Sequence, residues 1–248
     1  MRRVLFQVGG TQVWSYPVFL YIGLVCGFYV NYALAPRMGM PRASAAAATL
    51  ILLAPAISGA RLWFVFDHWA IYRRDPRRIL RRAEGGMTIY GGLILALALS
   101  PPVLAGFRLS FANFWDASTF TMLVGMIFTR IGCLLNGCCA GRRSDGPLGL
   151  WLADHRGHWE RRYPVALLEI GCAALLLAGS AALLLVHAPR GTIFVFGVLG
   201  YATVRIGLDR LRETSPRSRL SRSAAVRTFV AVSVVASAVG AAASGAYT

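Results

Sequence analysis

The sequence has no lysine and only 10 acidic residues in 248, and charged residues of every kind make up 15% of it. Ordinary soluble domains carry roughly 25% charged residues and about 45–50% apolar ones. A water-facing globular domain is short of charge on this count, and the 56% hydrophobic content excludes a disordered chain. Cysteine is sparse and odd in number, at Cys26, Cys133, Cys138, Cys139 and Cys172. An odd set in apolar surroundings does not describe a disulfide-stapled secreted scaffold. No cleavable leader is evident, because the first apolar stretch starts near Pro17 and no small-residue cleavage site ends it. No internal repeat is visible.

What the chain does have is arginine and long apolar runs. All 26 basic residues are arginine, the formal net charge is +16, and the mean hydropathy is +0.57. A GC-rich genome accounts for abundant arginine and alanine. The functional alternative is contact with phosphate, in anionic lipids or in nucleic acid. The arginines sit in short loops between apolar segments, which fits lipid and not nucleic acid.

A hydrocarbon core about 30 Å thick takes roughly 20 apolar residues per helix. Seven candidate spans meet that length, at about 17–34, 45–66, 87–106, 111–135, 164–187, 191–208 and 224–246. The expected fold is an all-α integral membrane protein, a single polytopic domain over residues 1–248. The largest polar insert, Gly141 to Tyr163, is expected to form a small extramembrane cap. Alternating the spans puts most arginines, including Arg73, Arg78, Arg142, Arg161, Arg210 and Arg212, on the side of the N-terminus. Arg37, Arg42, Arg108 and Arg190 fall on the other. The positive-inside rule places the arginine-rich side in the cytoplasm.

Arg61, Arg130 and Arg205 remain, within or at the ends of spans. An intramembrane arginine costs at least about 2.5–3.5 kcal/mol unless it is paired or snorkels to the interface. Each could pair structurally, for instance with Asp67, Glu169 or Asp209. Three in one small bundle instead favour an anionic site such as a lipid phosphate, which the guanidinium fork binds through two oxygens. Two glycine pairs, Gly85-Gly86 and Gly91-Gly92, bracket Tyr90 at the start of the third span. They serve either close helix packing or access of a ligand to main-chain N–H groups, and Tyr90 could equally belong to an interface belt. The densest constellation is Arg130-Ile131-Gly132-Cys133, then Asn136-Gly137-Cys138-Cys139-Ala140-Gly141-Arg142. Its three cysteines point in different directions on a helix and no histidine stands at ligand spacing, so no metal is expected.

These motifs, in order, resemble the bacterial prolipoprotein diacylglyceryl transferases. The resemblance is carried by Gly59-Ala60-Arg61-Leu62, by Glu84-Gly85-Gly86-Met87 with Tyr90-Gly91-Gly92-Leu93, and by the Arg130 to Arg142 stretch. Arg162-Tyr163-Pro164 with Leu167 and Glu169, and Gly200-Tyr201 with Arg205 and Arg212-Glu213, continue it. It implies a seven-span enzyme of the bacterial inner (cytoplasmic) membrane that needs no cofactor. Such an enzyme moves diacylglyceryl from phosphatidylglycerol to the lipobox cysteine in a prolipoprotein signal peptide and releases glycerol phosphate. Arg130 and Arg205 would hold the lipid phosphate, Tyr16, Asn136 and Gly141 would shape the site, and Arg61 would support it. Gly91, Gly92, Cys133, Cys138 and Glu169, inside the matched motifs, complete the expected binding set.

Four positions depart from the family pattern. Tyr90 stands where the family has a histidine assigned as base, Cys133 where it has asparagine, Cys138 where it has glutamate, and Ala166 where it has glutamine. A tyrosine with an ordinary pKa of about 10 is a poor base near neutral pH. The family also carries its N-terminus and catalytic face outside, opposite to the positive-inside assignment. A related transferase with another acceptor, a non-catalytic lipid-binding protein and a thiol-redox membrane protein are the alternatives.

Overall fold

The computed structural model describes residues 3–80, 86–138, 141–154 and 157–212, and beyond them only Val226, Arg227, Val230, Ala231 and Ser233. Strands β1 (Val4–Val8) and β2 (Thr11–Trp14) form a hairpin that leads straight into helix α1 (Ser15–Leu34), extended by a 3-10 turn over Ala35–Met38. Helix α2 (Arg42–Asp67) is followed by the single turn α3 (Trp69–Tyr72), then by α4 (Ile89–Gly106) and α5 (Phe111–Asn136). A second hairpin, β3 (Leu150–Ala153) with β4 (Trp159–Arg162), precedes α6 (Val165–Leu185) and α7 (Thr192–Asp209).

Six of these helices are long and apolar enough to cross a membrane. The shortest has 18 residues and so spans about 27 Å. Their ends lie within a turn of the first six expected spans. The seventh expected span, 224–246, lies outside the described residues except for the five named above, of which Val226 and Ser233 are buried. The expected cap between Gly141 and Tyr163 is the β3–β4 ribbon. The N-terminal hairpin was not anticipated.

The bundle is built around α5, which packs on α1, α6 and α7, while α2 packs along α4. Leu52, Tyr90, Leu97, Leu104, Phe114, Trp115 and Phe194 share one core cluster. Tyr21, Val25, Leu50, Leu62 and Leu175 point outward and exposed. Apolar side chains outside suit a lipid solvent, and several polar groups inside are satisfied across helix contacts. The Trp115 indole donates to Ser100 Oγ at 3.0 Å, and Thr121 Oγ1 donates to the Gly27 carbonyl across the α1–α5 contact at 3.1 Å.

The α2–α4 contact explains one glycine pair. A Cβ on Gly91 would come within 2.5 Å of the Gly59 carbonyl oxygen, and one on Gly92 within 2.5 Å of that of Ala56. The two backbones touch, so these glycines are accounted for by helix packing of the small-residue kind common in membranes.

Helix ends are closed deliberately. Ser110 Oγ caps the start of α5, and Gly137 ends it in the left-handed conformation at φ +70°. A side chain there would also strike the Asp154 carbonyl, so both backbone and space require glycine. The N-terminus of α7 is capped from another helix: buried Asp116 of α5 accepts from the backbone N–H groups of Gly191 at 2.7 Å and Phe194 at 2.8 Å. Alternation of the six helices puts both hairpins, α3 and the arginine-rich loops at one end of the bundle, with Arg37, Arg42, Arg108 and Arg190 at the other.

Candidate functional site

Arg130 lies on α5 and Arg205 on α7, each one to two turns inside the arginine-rich end of its helix. Glu169, one turn into α6, sits between them and is only 1% exposed. Its carboxylate takes the Arg130 Nε at 2.8 Å, the Arg205 Nη1 at 2.5 Å and the Arg212 Nη2 at 2.9 and 2.8 Å through both oxygens. Arg205 also reaches Asp209, one turn further along α7, at 3.6 Å. Three guanidinium groups thus meet two carboxylates, and one positive charge is left over. Burying such a set is tolerable only because every guanidinium has a carboxylate partner.

The cap fixes the third arginine. Gly141 forms a β-bridge with Arg212, and the Arg142 N–H donates to the Leu211 carbonyl at 2.8 Å. Buried Arg162 donates to the Gly141 carbonyl at 3.2 Å and pairs with Glu160. Gly141 therefore serves as the joint that ties the cap to the end of α7. Tyr90 is buried beside Tyr201 and lies within electrostatic reach of Arg205 and Asp209. Cys133 is buried one turn beyond Arg130, whose Nη1 points at its sulfur from 3.9 Å, and the Cys138 thiol faces the Cys133 carbonyl at 3.6 Å. Tyr16, in the first turn of α1, packs its backbone against Gly132 of the same stretch. Asn136 is the half-buried last residue of α5.

The structure brings together Arg130, Arg205, Glu169, Tyr90, Cys133, Cys138 and Gly141. It keeps Arg61 apart. That side chain donates to the carbonyls of Ile79 at 3.0 Å, Arg78 at 3.0 Å and Gly86 at 3.1 Å, and lies over the rings of Tyr72 and Phe64. It clasps the arginine-rich segment between α2 and α4. Arg61→Ala is accordingly expected to speed tryptic cleavage at Arg73 to Arg78, and unchanged cleavage would remove the clasp. Glu84, Gly85, Cys139, Ala140 and Glu213, which belong to the matched motifs, lie outside the described residues.

Two site residues escaped the sequence reading as members of the cluster, Arg212 and Tyr201, while Asp209 was expected only as a possible partner of an arginine. For Tyr201 a signal was available, because 201, 205 and 209 are spaced to share one face of α7, whereas Arg212 lies beyond the end of that helix. A cleft of about 420 Å³ opens at the other end of the bundle between Phe111, Trp115, Arg190, Phe194 and Phe196. It shares no residue with the arginine cluster, so the site is assigned on charge and burial and not on empty space.

Comparison with known proteins finds relatives over much of the chain. A relative from Clostridium perfringens named phosphatidylglycerol–prolipoprotein diacylglyceryl transferase 2 is 28% identical over 159 residues, covering 60% of this chain and 59% of its own. One from Halalkalibacterium halodurans, named as the same transferase, is 29% identical over 136 residues, or 55% of this chain and 47% of its own. One from Bacillus cereus, again so named, is 28% identical over 226 residues, or 87% and 82%. The chain thus spans about half the length of the first two relatives and most of the third. The family model described as prolipoprotein diacylglyceryl transferase matches residues 3–245, from the first hairpin through every element of the cluster. This multi-pass membrane protein belongs to the prolipoprotein diacylglyceryl transferase family.

Proposed function

We propose that the protein transfers the diacylglyceryl group of phosphatidylglycerol to the thiol of a lipobox cysteine in a prolipoprotein signal peptide. The thiol sulfur bonds to the glycerol carbon, the bond from that carbon to the phosphate oxygen breaks, the thiol gives up its proton, and glycerol phosphate leaves. The observation that carries this reading is the meeting of buried Arg205 and Arg212 and partly buried Arg130 at Glu169. A phosphodiester brings one negative charge, and the departing phosphate monoester gains more. Fixed guanidinium donors in a dry site stabilise that growth most effectively. Among the described residues, the buried Nε atoms of Arg205 and Arg212 have no hydrogen-bond partner. A phosphate oxygen supplies the acceptor they lack. Arg130 binds Glu169 through Nε, which turns its terminal nitrogens toward Cys133 and the end of α5.

In this reading Arg130 and Arg205 hold the phosphate, Glu169 and Asp209 hold the arginines, and Tyr16, Asn136 and Gly141 frame the entrance. Gly91 and Gly92 contribute by bringing Tyr90 close to α2 and the core, and Arg61 by restraining the neighbouring loop. The chain acts as one polytopic domain in the bacterial inner membrane, with the cluster on the outward face as in the family. That orientation sets the arginine-rich end outside, against the positive-inside rule. An enzyme that gathers anionic lipid has a use for cations there.

The test is a transfer assay in vesicles with labelled phosphatidylglycerol and a lipobox peptide. Glycerol phosphate released together with lipidated peptide is expected. Release without peptide modification would favour a different acceptor, the second reading, which rests on Tyr90, Cys133 and Cys138 replacing the family's usual residues. Folded, lipid-bound protein that yields neither product would reduce it to a binding role.

Tyr90 is the position where proton handling is tested. Tyr90 lies within electrostatic reach of Tyr201, Arg205 and Asp209, so Tyr90→Phe is expected to slow transfer by about 100-fold, the lower range for a lost proton-transfer group. An unchanged rate would assign Tyr90 to packing. Tyr90→His, which places a better base at this position, is expected to raise transfer in the same assay.

A further inference from the structure

Two tryptophans stand exposed on the cap, where a water-facing ribbon has no use for them. The β3–β4 register pairs Trp151 with Arg161 and Ala153 with Trp159. Paired residues in an antiparallel ribbon project to the same side, and diagonal neighbours lie about 7–8 Å apart. Trp151, Trp159 and Arg161 therefore share one face. Trp151 is 66% exposed and Trp159 54%.

The platform that carries them is held at several points. Arg161 donates to the carbonyls of Asp145, Gly146 and Gly149, Glu160 bridges Arg143 and Arg162, and the His158 N–H donates to the Asp154 carboxylate. Its position is equally constrained. Arg161 lies four residues before the first residue of α6, so Trp151 opposite it stays within about 20 Å of the membrane-crossing helix even with the chain fully extended. The interfacial layer on each side of the hydrocarbon core is about 5–8 Å deep, so a ribbon lying flat keeps both indoles inside it. The other two exposed tryptophans mark the same level: Trp14 directly precedes α1 and Trp69 follows α2, both at the arginine-rich end. Indoles prefer the headgroup level, and arginine there attracts anionic lipid.

We propose that the β3–β4 hairpin lies flat on the bilayer as a docking surface for anionic phospholipid, with Trp151 and Trp159 inserted at headgroup depth and Arg161, on the same face, among the phosphates. This surface adjoins the Glu169 cluster through the Gly141–Arg212 bridge, so lipid gathered on it stands at the edge of the site. The inference concerns membrane contact and does not require that transfer take place.

The experiment compares the full-length protein with the Trp151→Phe, Trp159→Phe double variant, both in vesicles of phosphatidylcholine with and without phosphatidylglycerol. Tryptophan emission is quenched either by lipid brominated near the headgroup or by aqueous acrylamide. Circular dichroism confirms that the double variant is folded. The expected result is loss, in the variant, of a component that brominated lipid quenches and acrylamide does not, and a larger such component when phosphatidylglycerol is present. A component reached by acrylamide and not by brominated lipid would overturn the proposal. If a lipobox peptide then shielded it, the surface would belong to a protein partner. Equal lipid quenching with and without phosphatidylglycerol would overturn the preference for anionic lipid. None of these readings uses the transfer reaction, so failure of the catalytic assignment leaves them interpretable.

Discussion

Glu169→Ala is expected to be the most damaging single substitution in the membrane-buried part of the protein. The carboxylate is shared by partly buried Arg130 and buried Arg205 and Arg212, and its loss strips all three of that partner, with Asp209 still facing Arg205. Breaking a buried ion pair from one side costs about 3–5 kcal/mol, because the abandoned charge stays desolvated. In a chain of this length each kcal/mol moves the melting temperature by roughly 2–4 °C. A thermal melt in detergent should therefore show a fall of roughly 6–20 °C. Glu169→Gln keeps the shape and an acceptor oxygen while removing the charge, so it should fall between the alanine variant and the wild type. A Glu169→Ala protein that melts with the wild type would mean that the arginines do not depend on this carboxylate.

Arg130→Ala and Arg205→Ala are expected to abolish transfer while leaving the protein folded in the membrane. Here the carboxylate keeps two of its three partners, so the structural cost is smaller than for Glu169→Ala. The chemical cost is larger. Removing one preorganised donor from a developing oxyanion typically lowers turnover by about 10²–10³-fold. Arg130→Lys should recover little, since an ammonium lacks the planar fork that spans a carboxylate and a phosphate together. Initial rates of glycerol phosphate release, beside a melting curve for each variant, separate the two effects. Near-normal turnover in either alanine variant would falsify the phosphate assignment.

The six described spans were legible because their apolar runs are long and uninterrupted, and length alone sets where a helix can cross. Leu150–Ala153 was not legible as a strand, because four residues offer no period to distinguish strand from helix. The three arginines show the same limit at the site. That Arg130 and Arg205 could pair, with Glu169 or Asp209 among the candidates, was legible from the cost of leaving them alone, although three arginines together favoured an anionic ligand instead. That Arg61 turns away toward the Ile79 and Gly86 carbonyls did not, since nothing local says which side of α2 meets a loop. The Gly91-Gly92 pair left packing and ligand access open, and only the approach of the Gly59 and Ala56 carbonyls decides for packing. The meeting of Gly141 with Arg212 joins residues far apart in the chain and has no local signature.

The Asp116 cap on α7 sits at the opposite end of the bundle from Glu169, yet the two act on the same pair of helices. From Asp116 to Arg130 along α5 is 14 residues, and from Gly191 to Arg205 along α7 is also 14. At 1.5 Å per residue each stretch is about 21 Å. The helices run in the same direction and are fastened to each other at both ends of equal lengths, once through Asp116 and once through Glu169. They behave as the two uprights of a ladder with a rung at top and bottom. Neither upright can slide along the membrane normal without breaking a rung, so the height of Arg205 relative to Arg130 is set in the opposite leaflet as much as at the site itself.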